Sequence, residues 1–345
     1  NMTTLNCPEE VELTKKLLSL HPWAKMAKYA RSGGEANAIA IRIARAASKK
    51  DGVAICGYHG WHDWYLAANI KNNNSLNDHL IKNLNVKGVS KKLSGTIFPF
   101  EYNNLKQLKK IIKEKNIGII KMEVERNQKP KNNFLKKVRK ITKKYGCLLI
   151  FDEIVTGFRV SLRGAQHYYK VTPDISCFGK AMANGMPISA IVGKRKVMKN
   201  FDKIFFSTTF GGETLSLAAA LSTIEKLEKR KVNKKIKLYG TKLINGLNEV
   251  INSNNLINYM SFSGPDWWPK LQIKNTNLEK NLFKSLLRQE LNANGLLINS
   301  ALNISYSHCN KEIYDETIKR YNQALQTLNI ILSKDNPKSE LKGEL

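Results

Sequence analysis

Cysteine is scarce in this chain, which holds five cysteines among 345 residues. They are odd in number, and none stands in the C-x-x-C spacing of zinc or redox sites, so neither a zinc site nor a disulfide framework is expected. No apolar run approaches the ~20 residues that a membrane-spanning helix needs, and no secretory signal precedes the first motif. These absences predict a soluble protein of a reducing cytoplasm.

Acidic residues are also few, because 57 basic residues face 28 acidic ones and the net charge is +29. Such a charge is typical of proteins that bind nucleic acid or an anionic membrane face. The lysines, however, are spread through nearly every predicted helix, with no basic cluster interleaved with aromatic residues. A basic nucleic-acid-binding protein therefore stays an alternative, and the positive field would in any case favour anionic ligands.

Two charged side chains follow buried strands where those strands end. Asp152 comes directly after the apolar run 147–151, and Lys180 comes just after the run 175–178. An acid and an amine at the carboxyl ends of two buried strands are costly to bury unless they meet a partner. The pattern therefore predicts a functional site at this edge of a parallel sheet.

A glycine turn supplies a third feature of the site. Ser32, Gly33 and Gly34 stand between a short strand and an Ala/Ile-rich helix, and backbone N–H groups at such a helix start suit a phosphate dianion. A phosphate site, a buried carboxylate and a buried lysine are what pyridoxal 5'-phosphate (PLP) requires. The lysine forms a Schiff base with the aldehyde, and the carboxylate keeps the ring nitrogen protonated.

Five motifs, in order along the chain, carry a resemblance to a known family. They are Ser32-Gly33-Gly34-Glu35-Ala36, Tyr58-His59-Gly60, Asp152-Glu153-Ile154, Gly179-Lys180-Ala181 and Ser207-Thr208-Thr209-Phe210-Gly211-Gly212. The chain resembles the class III (fold type I) PLP-dependent aminotransferases, in the branch of glutamate-1-semialdehyde aminomutase, from about Pro8 to Ile331. This implies an α/β fold in which a large domain with a mostly parallel sheet precedes a smaller C-terminal α+β domain.

The resemblance assigns roles to particular residues. Lys180 and Asp152 are the expected catalytic pair, and both contact the cofactor. The other expected cofactor-binding residues are Ser32, Gly33, Gly34, Tyr58, His59 and Thr209. Tyr58 would stack on the pyridine ring, and Thr209 would reach the cofactor phosphate of a neighbouring subunit, so a homodimer is implied.

Substrate and metal sites are less well specified. Glu123 falls at the family's Glu-Pro-Val position, although Val124 replaces the proline, and Arg126 at the same strand end could clamp a substrate carboxylate; a solvated loop arginine is the alternative. His59, His62 and Asp63 lack a further histidine at zinc spacing, so no metal is expected.

The resemblance also divides the chain. We expect a first helix in residues 1–20, a PLP-binding large domain in 21–230, a small domain in 231–333 and a polar tail in 334–345. Within the small domain, residues 303–306 read as a final strand. The chain begins at Asn1, whereas the family normally has a further N-terminal segment, and we expect that segment to be missing.

The expected reaction is PLP-dependent amino transfer from an amino acid to a keto acid, aldehyde or keto-sugar. Gly34, Val124 and Glu213-Thr214 depart from the aminomutase pattern, which favours a transferase. Two alternatives stay open besides nucleic-acid binding. One is the intramolecular glutamate-1-semialdehyde 2,1-aminomutase reaction, and the other is a non-catalytic relative.

Overall fold

The structure is a computed structural model that describes residues 5–77, 79, 82–125, 129–274, 279–298 and 301–343. It divides into two compact units, the first ending at Arg230 and the second beginning at Lys231. Within these residues, none of the helices combines the length and the apolar character needed to traverse a bilayer.

A seven-stranded sheet forms the centre of the first unit. Its strands in chain order are β1 Met26–Ala30, β2 Gly52–Cys56, β3 Ile97–Pro99, β4 Ile117–Glu123, β5 Leu148–Asp152, β6 Ile175–Phe178 and β7 Ser189–Gly193. The spatial order is β1-β7-β6-β5-β4-β2-β3. Strands β3, β2, β4, β5 and β6 are mutually parallel, whereas β7 is antiparallel to both of its neighbours, β6 and β1. The predicted mostly parallel sheet is confirmed.

Helices cover both faces of this sheet. They are α1 Pro8–Leu20, α2 Gly33–Ser48, α3 Asp63–Leu66, α4 Leu105–Glu114, α5 Phe134–Lys144, α6 Gly164–Tyr168, α7 Arg195–Met198 and α8 Thr214–Lys229. Shorter 3₁₀ turns span Ala67–Asn69, Lys91–Leu93, Lys180–Met182 and Lys199–Lys203. Strands β2, β4 and β6 are buried along their whole length, as expected for a parallel sheet between helical layers.

Strand alternation decides which side chains meet α2. Ile119 and Ile150 pack against the small and branched residues of α2, whereas Ile120 and Phe151 pack against α4 and α5 on the opposite face. Because successive side chains on a strand point to opposite faces, Lys121 and Asp152 lie on the α2 face. The close approach of α2 is possible because its buried stripe is largely alanine and isoleucine.

The second unit contains α9 Val232–Ser253, β8 Met260–Ser263, β9 Lys270–Ile273, α10 Lys280–Ala293 and α11 Lys311–Leu332, with 3₁₀ turns at Tyr306–His308 and Pro337–Glu340. Strands β8 and β9 form an antiparallel pair. The strand predicted for residues 303–306 is wrong. There, the Nδ1 of His308 lies 2.9 Å from both the Ser305 backbone N and its Oγ, and this local capping competes with strand pairing.

Candidate active site

The carboxyl ends of β4, β5 and β6 meet at one edge of the sheet. Glu123 is in register with Asp152, and Asp152 is in register with Cys177. Lys180 stands three residues after Cys177 in the chain, just beyond the end of β6. The topology therefore brings Asp152 and Lys180 to the same edge through neighbouring strands.

Asp152 is 4% exposed and accepts three hydrogen bonds. Its Oδ2 accepts from His59 Nδ1 at 2.8 Å and from Asn37 Nδ2 at 2.7 Å, while its Oδ1 accepts from the Ile154 N–H at 3.0 Å. Burial alone would raise the pKa of Asp152, but the His59 hydrogen bond and the nearby Lys121 charge outweigh burial and lower the pKa to about 2. Asp152 is therefore a carboxylate at neutral pH.

His59 is the neutral partner of this carboxylate. Burial lowers the pKa of His59 to about 4, against the opposing pull of Asp152. The Nδ1 of the neutral ring must carry the proton in order to donate to Asp152, which leaves Nε2 as a buried lone pair without a partner in the described part of the chain. The ring also stacks on Trp64 at a centroid distance of 6.3 Å. These contacts fix the tautomer and the orientation of the imidazole.

The glycine turn forms the capped start of α2. Ser32 Oγ accepts from the Glu35 N–H at 3.2 Å, and Glu35 Oε2 accepts from the Ser32 N–H at 2.9 Å, which completes a capping box. Gly33 and Gly34 are the first two residues of the helix, so their N–H groups have no intrahelical acceptor. They remain suited to an anion.

Ile154 connects the glycine turn to the Lys180 turn. A Cβ on Gly33 would lie 3.0 Å from Ile154 Cγ2, and a Cβ on Gly179 would lie 3.2 Å from Ile154 Cδ1. In addition, Ser189 Oγ donates to the Ser32 carbonyl at 2.8 Å. The glycines thus permit a close approach of three backbone segments that the sequence predicts to share one site.

Lys180 has an unusual backbone for its residue type. Its φ is +44°, in the left-handed region that side chains other than glycine seldom adopt, and it opens the 3₁₀ turn Lys180–Met182. The Lys180 side chain is exposed, so the burial predicted for it is wrong. A left-handed, exposed lysine directly after a buried strand is a feature that often accompanies a functional site.

Tyr58 and Glu123 lie at the ends of β2 and β4. The Tyr58 N–H donates to Glu123 Oε2 at 3.0 Å, and a Cβ on Gly57 would lie 2.5 Å from the same oxygen. Glu123 is therefore engaged by the turn after β2, and this contact supplies one reason for a carboxylate at that position other than substrate binding. The Tyr58 ring packs edge-on against Tyr65 at 5.8 Å. Arg126 lies outside the described residues.

Thr209 is exposed and belongs to a loop beside the glycine turn. A Cβ on Gly211 would lie 3.0 Å from the Tyr29 carbonyl oxygen, and Arg31 donates to Glu213 Oε2 at 3.1 Å. Glu213 caps α8 by accepting from backbone N–H groups of that helix. The loop is thereby fixed to the end of β1 next to Ser32.

The sequence reasoning missed two buried polar residues on the α2 face. Asn37 lies on α2 and Lys121 on β4, and Lys121 Nζ donates to Asn37 Oδ1 at 2.7 Å. Their signal was a polar residue inside an otherwise apolar run, Asn37 among Ala and Ile and Lys121 between Ile120 and Met122. Glu153, in contrast, turns away from Asp152 and accepts from Ala165 and Gln166 N–H groups at 2.8 and 2.7 Å.

The family model for class-III aminotransferases matches residues 1–265. The chain belongs to the class-III aminotransferase family. The resemblance predicted from the five motifs is thereby confirmed.

Two curated relatives each match more than two thirds of this chain. A 3-aminobutyryl-CoA aminotransferase of Cloacimonas acidaminovorans is 38% identical over 283 residues, which cover 79% of this chain and 63% of that protein. A glutamate-1-semialdehyde 2,1-aminomutase of Sulfolobus acidocaldarius is 34% identical over 267 residues, which cover 73% and 62% respectively. The chain thus spans about three fifths of the length of these class-III relatives.

Solved structures support the fold of this class-III member. The FumI protein of Sphingopyxis sp. MTA144, in its PLP internal aldimine form, has a TM-score of 0.83 at 20% identity and covers 97% of this chain and 79% of its own. An omega-transaminase of Sphaerobacter thermophilus has a TM-score of 0.80 at 20% identity and covers 94% and 79%. The predicted α/β fold of the PLP transferases is confirmed.

Proposed function

We propose that the protein is a PLP-dependent aminotransferase that moves an amino group from an amino acid to a keto acid, aldehyde or keto-sugar. The observation that carries this proposal is the ionised Asp152, held by a neutral His59 at the sheet edge where Lys180 emerges. Family membership and the PLP named in the related transaminases point to the same chemistry.

The residues present fit this cofactor. Asp152 keeps acceptor capacity on Oδ1, because that oxygen accepts one hydrogen bond, from the Ile154 N–H, within the described residues. The N–H groups of Gly33 and Gly34 would hold the phosphate at the positive end of α2. Lys180 would hold the aldehyde end, and Tyr58 would lie against the ring.

The chain's own residues then have distinct tasks. Bound PLP supplies an electron-withdrawing ring that stabilises negative charge beside the reacting amine. The Lys180 amine would accept the proton from the substrate α-carbon as general base and then donate it again as general acid. Neutral His59 donates through Nδ1 to Asp152, and this hydrogen bond favours the negative charge of Asp152. This charge is the electrostatic contribution of the chain to the reaction.

We also propose a homodimer in which Thr209 reaches the cofactor phosphate of the neighbouring subunit. Its exposed position in a loop fixed beside Ser32 is compatible with such a contact. A cytoplasmic location is proposed from the five free cysteines, four of which are buried. Glu123 and Arg126 remain proposed substrate contacts.

Glutamate-1-semialdehyde 2,1-aminomutase activity is the second candidate. It is favoured by the 34% identity to the Sulfolobus acidocaldarius aminomutase. The glycine at position 34 and the Val124 at the Glu-Pro-Val position favour intermolecular transfer instead. The two reactions differ in whether an external amino donor is consumed.

A turnover assay tests the proposal. The full-length protein is mixed with PLP, ¹⁵N-labelled glutamate or alanine and a panel of keto acids, aldehydes and keto-sugars, and labelled amine product is measured by mass spectrometry. The proposal predicts label transfer by the wild type and none by Lys180→Ala. Conversion of glutamate-1-semialdehyde without a donor would instead identify the mutase, and the absence of both activities would contradict the assignment.

A further inference from the structure

Lys121 is a buried cation in the middle of the central sheet. It is 0% exposed and lies on β4 between Ile120 and Met122, on the face covered by α2. An ammonium group in such surroundings is costly unless opposite charge or hydrogen bonds compensate it. Lys121 therefore needs polar partners, which the apolar side chains around it do not provide.

No carboxylate in the described part of the chain forms an ion pair with Lys121 within 4.0 Å. Its Nζ instead donates to Asn37 Oδ1 at 2.7 Å and lies 3.9 Å from Cys177 Sγ. The amide of Asn37 donates in turn to Asp152 Oδ2 at 2.7 Å and to the His59 carbonyl at 3.2 Å. The Asn37 amide thus stands directly between the ammonium and the carboxylate.

This arrangement also fixes the amide. Because Lys121 is a donor only, Asn37 must present its oxygen to Lys121 and its nitrogen to Asp152. In the low-dielectric interior, a chain of hydrogen bonds that ends in opposite charges polarises each of its members. The positive charge of Lys121 acts on both members of the Asp152–His59 pair, because it favours ionised Asp152 and disfavours protonated His59.

We infer that Lys121 is a positioning residue whose charge, transmitted through Asn37, keeps Asp152 ionised and His59 neutral. The consequence for the cofactor ring rests on the proposed function, but the charge state of the pair does not. The titratable groups around the Asp152–His59 pair come from β4, β6, the end of β5 and the segment between β2 and β3. They are Lys121, Glu123, Glu153, Cys177 and His79.

Two substitutions separate the charge of Lys121 from its hydrogen bond. Lys121→Gln keeps an N–H donor for Asn37 and removes the charge, whereas Lys121→Met removes both and fills a similar volume. Lys137→Met removes one exposed lysine charge from α5 and serves as the control. Urea unfolding of each variant establishes that it folds.

The first readout uses cofactor-free protein. The imidazole of His59 is followed by ¹⁵N NMR between pH 3 and pH 7 in the wild type and the three variants. Loss of Lys121's charge is expected to move the His59 midpoint upward by about one pH unit or more. The hydrogen-bond chain from Lys121 to His59 is shorter than about 12 Å, the distance at which a unit charge contributes about 1.4 kcal/mol at an effective dielectric constant near 20. Both Lys121→Gln and Lys121→Met should show this change, and Lys137→Met should not.

The opposite results would overturn the inference. If Lys121→Gln titrates like the wild type, then Lys121 serves only as a hydrogen-bond donor. If the His59 midpoint rises equally in all three variants, the rise reflects the net charge of the protein and not the position of Lys121.

A second readout uses protein with PLP added, where the pH midpoint of the cofactor absorbance should also rise in Lys121→Gln. A moved His59 midpoint without any cofactor absorbance would contradict the proposed function and leave the role of Lys121 intact.

Discussion

Replacement of His59 by asparagine should change how the stability of the chain depends on pH. The asparagine Nδ2 can take the place of the His59 Nδ1–H toward Asp152, so the hydrogen bond is kept while the titratable ring is lost. Burial lowers the pKa of His59 to about 4 in the folded chain, against about 6.5 in an unfolded chain. A comparison of the wild type with this variant therefore isolates the titration of the His59 ring.

The sign and size follow from linkage. A histidine with a depressed pKa contributes stability that is complete above about pH 6.5 and is lost as the pH falls toward about 4, since the unfolded chain takes up the proton first. A pKa difference of about 2.5, at 1.36 kcal/mol each, gives about 3 kcal/mol. Asp152 does not contribute to the change between about pH 6.5 and pH 4. Its depressed pKa of about 2 places the loss of its own stabilising effect below about pH 4.

Urea unfolding at pH 7, 5.5 and 4 measures this difference. Relative to His59→Asn, the wild type should lose about 3 kcal/mol of unfolding free energy between pH 7 and pH 4. Exposed His167 offers the matched control, since His167→Asn should leave the wild-type pH dependence unchanged. An equal pH dependence for wild type and His59→Asn would refute the assignment of a neutral, buried His59.

Three further substitutions test buried contacts in the first unit, two of them at the site and one directly before β6. Gly34→Ala should destabilise the chain by about 1–3 kcal/mol in thermal melts, because its Cβ would lie 2.8 Å from the His62 ring, and His62→Ala in the same chain should recover most of the loss. Asn37→Leu should cost about 2 kcal/mol or more in urea unfolding, because it removes one hydrogen bond each from buried Lys121 and buried Asp152. Asp174→Asn should cost about 3 kcal/mol by the same measure, since it breaks the pairing to Arg139 at 2.6 Å and to Lys194 at 2.8 Å and leaves both cations uncompensated. A loss no larger than that of an exposed control would contradict this.

Local patterns predicted much of the first unit. The strand ends before Asp152 and Lys180 and the glycine turn at Ser32 are visible in the chain because apolar runs stop there. Which strands become neighbours depends on long-range packing. The position of antiparallel β7 between β1 and β6 therefore could not be predicted from local sequence patterns.

The buried polar contacts of Asn37 and Lys121 were not predicted, because only the folded chain brings these residues together. Asn37 and Lys121 lie 84 positions apart along the sequence, on a helix and a strand. Alternation shows that Lys121 faces one side of the sheet, but only the packing of α2 on that side supplies its partner. The incorrect strand at 303–306 has the opposite cause, since the local contacts of Ser305 with His308 override a short β-like pattern.

Covalent capture of PLP is the most direct test of the central claim, which is that Lys180 and Asp152 share one cofactor site. The protein is incubated with PLP, reduced with borohydride and digested, and the modified lysine is located by mass spectrometry. The account predicts a single stoichiometric modification at Lys180, lost in Lys180→Ala and weakened in Asp152→Asn. Equal labelling of Lys180→Ala, or modification spread over surface lysines alone, would contradict it.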